Sequence, residues 1–172
     1  MSRARTISDE TIHATLRGML AVGGDKAVSF ATVALATGLA ASTLAQRFST
    51  RDGMVRAALV DGWDRIEAAT ALAEGEAPVS AKAVPTLLKL IGRDQEAEIS
   101  VLVTNLRDAV LRERAEAWRS RVEAAIALRL GGSGEKTRES AAMIFAAWQG
   151  RLLWARPGDS AFKLKDAIKR LG

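Results

Sequence analysis

The chain has 172 residues, of which 48% are hydrophobic and 26% charged, so it can bury a core and is not intrinsically disordered. It contains no cysteine, which excludes disulfides, thiolate metal sites and cysteine nucleophiles. The net charge of +5 mildly favours a polyanionic partner without identifying one. No stretch approaches the roughly 18 consecutive apolar residues of a spanning helix, and polar residues follow Arg3 and Arg5, so no signal peptide is expected either. We therefore expect a cytoplasmic protein.

Helical periodicity dominates the sequence, and we find no convincing alternating strand pattern. The predicted helices cover about residues 8–22, 30–37, 41–48, 51–72, 81–92, 94–105, 107–130, 136–155 and 160–171. Glycines mark several breaks, namely Gly23-Gly24, Gly38 and the run from Gly131 to Gly134. The sequence thus predicts an all-α protein of about nine helices.

Residues 29–48 show the pattern of a helix-turn-helix, two short helices joined by a turn that contains Gly38. The apolar positions that would pack the pair against the first helix are Phe30, Val33, Ala34, Leu39, Leu44 and Phe48. The outward positions of the second helix are Ser42, Thr43, Gln46 and Arg47. Hydroxyl, amide and guanidinium groups bond bases and phosphates, and the major groove admits one helix. The motif therefore predicts binding to double-stranded DNA.

Residues 12–55 resemble the DNA-binding domain of the tetracycline-repressor (TetR) family. The run VALATGL at 33–39 is similar to the family's Ile-Ala-x-x-Ala-Gly-Val, and STLAQRFSTRDGM at 42–54 is similar to its Leu-Tyr-x-His-Phe-x-Ser-Lys-Glu-x-Leu. Three positions depart from that pattern: Ala45 stands for tyrosine, Arg47 for histidine and Arg51 for lysine. A weaker similarity continues at 141–154, AAMIFAAWQGRLLW, which resembles the family's penultimate helix with its glycine at Gly150.

The resemblance implies a DNA-binding domain at 1–55 and a regulatory and dimerisation domain at 56–172, with a linking helix at about 51–72. It implies a homodimer that binds an inverted-repeat operator, acts as a repressor and is released by a small apolar effector. In such a protein the last two helices form the dimer interface, here Ala142, Ala146, Gly150, Phe162 and Ile168. The helices between 81 and 130 would enclose the effector, with Leu88, Leu102 and Trp118 as candidate pocket residues.

Within the DNA-binding domain the candidate contacts have different roles. We expect Ser42, Thr43 and Gln46 to reach base edges and Arg51 to contact phosphate. Arg47 could do either, and phosphate is favoured because it replaces a residue that contacts phosphate in the family. Arg3 and Arg5 are either a solvated terminus or an arm that reaches DNA.

Alternatives remain open at this point. The chain could be a TetR-like interaction module that has lost DNA binding and acts through a protein partner, an idea prompted by Ala45. A helical enzyme has little support, since the single histidine, His13, has no catalytic partner at a recognisable spacing. We expect no cofactor, no metal and no membrane partner. For Trp118, packing in the core or in an interface is favoured over a role in the pocket.

Overall fold

The computed structural model describes residues 7–154 together with residues 166, 168 and 169. Within that part of the chain eight α-helices follow one another, without a strand. They are α1 (Asp9–Gly23), α2 (Phe30–Thr37), α3 (Ala41–Phe48), α4 (Arg51–Glu76), α5 (Val84–Gly92), α6 (Glu96–Thr104), α7 (Ala109–Leu130) and α8 (Glu135–Trp154). Short 3-10 turns lie at Asp25–Ala27 and Ala81–Ala83. The predicted all-α fold is confirmed.

The two helices of the helix-turn-helix begin and end at the predicted residues. Ser29 begins α2 with a capping box: its hydroxyl accepts from the Thr32 amide at 3.1 Å, and its own amide donates to Thr32 Oγ1 at 2.9 Å. Gly38 ends α2 in the left-handed region, with φ of 73°, and its amide donates to the carbonyl of Ala34 at 2.8 Å. These local signals explain why the sequence located this motif correctly.

The predicted end of the fourth helix, at residue 72, is wrong, because α4 continues to Glu76. Gly75 suggested a boundary, but Ala73 and Ala77 are buried and hold the last turns against the core. The buried guanidinium of Arg129 donates from Nη2 to the carbonyls of Glu74 at 2.9 Å and Ala77 at 2.8 Å. A side chain from α7 thereby satisfies carbonyl groups at the end of α4 that the helix itself leaves free.

The predicted ninth helix, over residues 160–171, lies outside the described residues except for Asp166, Ile168 and Lys169, which are helical.

One hydrophobic core runs from the helix-turn-helix to the C-terminal helices. Its N-terminal end is formed by α1, which packs against α2 and α4, with Ile12, Leu16 and Leu44 fully buried. Its C-terminal end contains four aromatic rings from α4, α7 and α8. The long helix α4 contacts both ends, so the motif packs directly on the rest of the chain.

Gly62 lies where α1, α4 and α6 meet. A Cβ atom at this position would lie 2.8 Å from Leu102 Cδ2 and 2.9 Å from Arg17 Cδ. Both neighbouring side chains are buried, so neither has free space into which to move. The missing side chain of Gly62 therefore sets how closely the three helices approach.

We expect Gly62→Ala to destabilise the protein by about 1–2 kcal/mol, because overpacking outweighs the gain in helix propensity. Gly75→Ala is the matched control in the same helix, since no atom lies within 4 Å of its added Cβ. That variant should gain about 0.5–1 kcal/mol. Urea unfolding at one protein concentration measures both changes. Equal effects of the two variants would show that α1, α4 and α6 do not approach each other tightly at Gly62.

Candidate nucleic-acid interface

The third helix is fixed from beneath by apolar contacts. Leu44 is fully buried and Phe48 is partly buried, and both pack with the core formed by α1, α2 and α4. At the end of α3, a Cβ on Gly53 would lie 2.7 Å from the carbonyl oxygen of Phe48, so only glycine permits the start of α4 to approach this closely. Thr50 begins α4 by accepting from the Gly53 amide at 2.9 Å. The orientation of α3 is thus set by side chains on its inner face.

The opposite face of α3 is open to solvent. Ser42 and Gln46 are exposed at its centre, one turn apart, while Thr43 and Ala45 are half-buried on either side. The structure thus brings the predicted base-contacting residues Ser42, Thr43 and Gln46 together on one surface. Ala45 places a methyl group where the resemblance would place a tyrosine ring.

Arg47 lies at the edge of this face and is bonded to the start of α1. Its Nη1 donates to the carbonyl of Ile7 and to Asp9 Oδ1, both at 3.0 Å. The side chain keeps 30% of its surface exposed, so the guanidinium is held in place and remains accessible. This geometry positions a cation at the rim of the exposed face of α3 and away from the centre of that face.

Arg51, the first residue of α4, is bonded on all three guanidinium nitrogens. Its Nε donates to the carbonyl of Val28 at 2.9 Å, Nη1 contacts Asp52 at 2.7 Å, and Nη2 contacts both the carbonyl and the carboxylate of Asp25 at 2.7 Å. Hydrogen bonds from Arg51, and next from Arg107, hold the pKa of Asp25 below its ordinary value. Arg51 therefore ties the turn before α2 to α4, a role that its sequence position did not reveal.

Comparison with known proteins addresses the fold. No family model matches the sequence, and neither does any curated protein. Among solved structures, a TetR transcriptional regulator from Legionella pneumophila superposes with a TM-score of 0.74 at 19% identity, covering 98% of this chain and 97% of the other. A transcriptional regulator from a Rhodococcus species gives a TM-score of 0.72 at 20% identity, covering 96% and 94%. The multidrug binding protein EbrR, complexed with imidazole, gives 0.59 at 24% identity, covering 96% and 94%.

This chain has the TetR fold. The coverage is nearly complete on both sides, so the likeness extends through the C-terminal helices as well as the helix-turn-helix. The resemblance drawn from residues 12–55 is therefore confirmed at the level of the fold.

In this TetR fold a buried arginine connects α1 directly with α4 and α6. Arg17 of α1 is 4% exposed. Its Nη1 donates to the carbonyl of Ala58 at 2.8 Å and to Asp61 Oδ2 at 2.6 Å on α4, and its Nε lies 2.6 Å from Glu98 Oε1 on α6. Sequence analysis missed this cluster because its partners are far apart in the chain. Gly62 in the middle of a predicted helix was the one available signal of a close approach.

A second link lies on the surface and joins the segment before α7 to the turn before α2 and to α4. Arg107 pairs with Asp25, and Arg56 Nε donates to Asp108 Oδ2 at 2.6 Å. The Leu111 amide and Arg56 hold the pKa of Asp108 below its ordinary value, since Asp108 is also the N-cap of α7. The start of α7 is thus coupled by ion pairs to the turn before α2 and to α4, and the sequence carried no signal of this link.

The candidate pocket residues Leu88, Leu102 and Trp118 are all buried in the core. Trp118 packs edge-on against Trp63 and Phe145, with ring centroids 5.8 and 5.7 Å apart, and its Nε1 donates to Thr70 Oγ1 at 2.9 Å. A groove of about 600 Å³ lies elsewhere, between the end of α7 and the start of α8, where Leu128 and Arg138 line it. In the structure these three side chains are packed within the core.

The candidate interface residues of α8 form part of an exposed apolar face. Ala146 is exposed and Ala142 and Gly150 are half-buried, and Met143 and Trp154 extend the same surface with 48% and 85% of their area exposed. Ile168 differs, because it is buried within the chain itself at 7% exposure. Phe162, Arg3 and Arg5 lie outside the described residues.

The helices of the described part of the chain include none with the length and hydropathy needed to cross a membrane.

Proposed function

We propose that this protein is a sequence-specific DNA-binding transcriptional regulator that reads its operator with α3. The observation that carries this proposal is the exposed face of α3, where Ser42, Thr43 and Gln46 stand together on a helix whose inner face is fixed by the core. A helix presented in this way fits the major groove, and these side chains bond base edges. The likeness to solved transcriptional regulators supports the same function.

Selection of bound duplexes from a random pool tests this proposal. The full-length protein should enrich a roughly palindromic sequence, because a symmetric dimer presents its two recognition helices to two half-sites. Affinity for the enriched duplex should exceed affinity for random duplex by about 10³-fold or more at physiological salt. A pool that stays random after repeated rounds would contradict DNA recognition.

The pairing of the arginines near α3 with carboxylates favours a second candidate function, an interaction module that acts through a protein partner. Each arginine between residues 7 and 56 is paired with a carboxylate, and Lys26 is the lysine of this segment. Phosphate contacts supply most non-specific affinity for DNA, so few free cations predict weak binding to random duplex. The selection experiment separates the two functions, since an interaction module enriches no sequence.

We also propose that the chain functions as a homodimer through α8. The exposed face of α8 carries Ala142, Met143, Ala146 and Gly150 at spacings of three and four residues. Small side chains along one face permit two helices to pack closely, and Trp154 adds a large apolar surface at the helix end. A twofold axis across this face would bring each residue near its counterpart in the partner.

Ala146→Glu should weaken dimerisation by at least about tenfold, because a carboxylate would have to be buried without a partner. Ala71→Glu is the matched control, since Ala71 is exposed on a different helix, α4. Sedimentation over a range of concentrations measures both. A wild-type monomer at micromolar concentration, or equal dissociation of the two variants, would exclude α8 as the interface.

A repressor role and release by a small apolar effector also belong to the proposal. EbrR was solved with imidazole, which supports ligand binding by proteins of this fold. In this chain an effector near Leu88, Leu102 and Trp118 would have to separate side chains that are packed together. Such a ligand would alter DNA affinity only as far as it favours one conformation over the other.

A further inference from the structure

The composition of the recognition face of α3, defined as Ala41, Ser42, Thr43, Ala45, Gln46 and Arg47, narrows the base pairs that it can read. Guanine presents two acceptors in the major groove and is read by paired donors from arginine or lysine, and cytosine presents a donor that needs a carboxylate. The face carries no acidic residue, and Arg47 is its one cation. The groups that read G·C pairs are therefore almost absent from it.

In the structure, Arg47 is not placed to read guanine. Its Nη1 donates to the carbonyl of Ile7 and the carboxylate of Asp9 at the rim of the face. A bidentate bond to guanine would need this guanidinium at the centre of the groove, beside Gln46. The rim position instead suits the sugar-phosphate backbone.

The remaining groups match both bases of an A·T pair. The amide of Gln46 carries a donor and an acceptor, the pair that bonds adenine N7 and N6. The methyl group of Ala45 is half-exposed beside it, and apolar side chains contact the 5-methyl group of thymine. Ser42 and Thr43 carry hydroxyls that accept either kind of pair.

We propose that α3 reads A·T base pairs, with Gln46 bonding adenine and Ala45 contacting the thymine 5-methyl group. This inference rests on the proposed function and adds the class of sequence that the operator contains. It assigns a role to Ala45, one of the three positions at which the chain departs from the family resemblance.

Uracil substitution in the selected operator tests the proposal, because it removes the thymine methyl and leaves base pairing intact. A methyl-sized group contributes roughly 0.8 kcal/mol when buried, so removal of one thymine methyl should weaken binding about fourfold. Substitution in both half-sites should weaken it about 15-fold. Thymines at other positions serve as internal controls and should tolerate the change.

Ala45→Gly identifies the protein side of this interaction. At one thymine position the ratio of affinities for thymine and uracil operators should fall toward one, while the other positions keep their ratios. Any loss of helix stability affects both operators equally and cancels in this ratio. Ala36→Gly, at an exposed alanine of α2, should leave every ratio unchanged.

The outcomes distinguish this inference from the proposed function. Three results would each overturn A·T reading and leave DNA recognition in place. The first is specific binding that is insensitive to uracil at every thymine. The others are a guanine in the base pair at which Gln46→Ala changes base preference, and thymine-to-uracil affinity ratios that Ala45→Gly leaves unaltered. A failure to enrich any sequence would overturn DNA recognition itself.

Discussion

Trp118→Ala should lower the free energy of unfolding by about 3–5 kcal/mol, the range for removing a buried aromatic side chain. Trp118 is 2% exposed, and its ring contacts Trp63, Phe145 and Trp148. Truncation would leave a cavity at the junction of three helices and remove the hydrogen bond to Thr70. Urea unfolding at a single protein concentration measures the effect.

Two further variants make the Trp118 result specific. Trp118→Phe keeps most of the packing but removes the indole donor, so it should cost less than the alanine variant. Leu72→Ala removes an apolar side chain that is 74% exposed on α4 and should change stability by less than about 0.5 kcal/mol. If Trp118→Ala cost no more than Leu72→Ala, Trp118 would face open space, as a pocket residue does.

Arg17→Ala should be nearly as destabilising, at about 3–5 kcal/mol, because it removes the buried cation that pairs with the carboxylates of both Asp61 and Glu98. Glu98 is the more costly of the two, since its side chain is 16% exposed and that of Asp61 is 27% exposed. The carbonyl of Ala58 would also lose the hydrogen bond that it accepts from Arg17. The variant would loosen α1 from both α4 and α6.

Arg65→Ala is the matched control for Arg17. Arg65 approaches the same carboxylate, Glu98, at 3.7 Å and also Glu10 at 3.3 Å, but its side chain is 46% exposed. Ion pairs at that exposure contribute about 0–1 kcal/mol, so the variant should change little. Equal destabilisation by both variants would show that the buried cluster does not hold the helices together. Replacing Arg17 by Met together with Glu98 by Leu should be less harmful than Arg17→Met alone, because the largely buried carboxylate of Glu98 is removed together with its partner.

The helix-turn-helix could be read from the sequence because its signals are local. Ser29 and Gly38 act within a few residues of their own positions, so α2 and α3 were placed correctly. The end of α4 depends on Arg129, which lies on another helix, and the local signal at Gly75 pointed the other way. Elements whose bounds are set by distant side chains are the ones that the sequence misplaced.

In the candidate site, too, local features could be predicted from the sequence and contacts with distant residues could not. Residue type and helical spacing predicted that Ser42, Thr43 and Gln46 would share a face. The partners of Arg47 and Arg51 could not be predicted, because Asp9 and Asp25 meet them only after α1 and the turn before α2 have folded against α3 and α4. Both arginines look like free phosphate ligands in the sequence, whereas the structure has them already bonded within the chain.

The central claim, that α3 recognises DNA, is tested most directly by measuring affinities of the Gln46→Ala and Thr43→Ala variants for the selected operator and for random duplex at several salt concentrations. Either variant should weaken operator binding by about 1–3 kcal/mol and change binding to random duplex little, because a bond to a base is removed and no charge is altered. Arg47→Ala provides the contrast: it should weaken binding to both duplexes and lower the salt slope by about one for each phosphate that is no longer neutralised. If Gln46→Ala and Thr43→Ala both leave operator affinity and base preference unchanged, α3 does not read DNA.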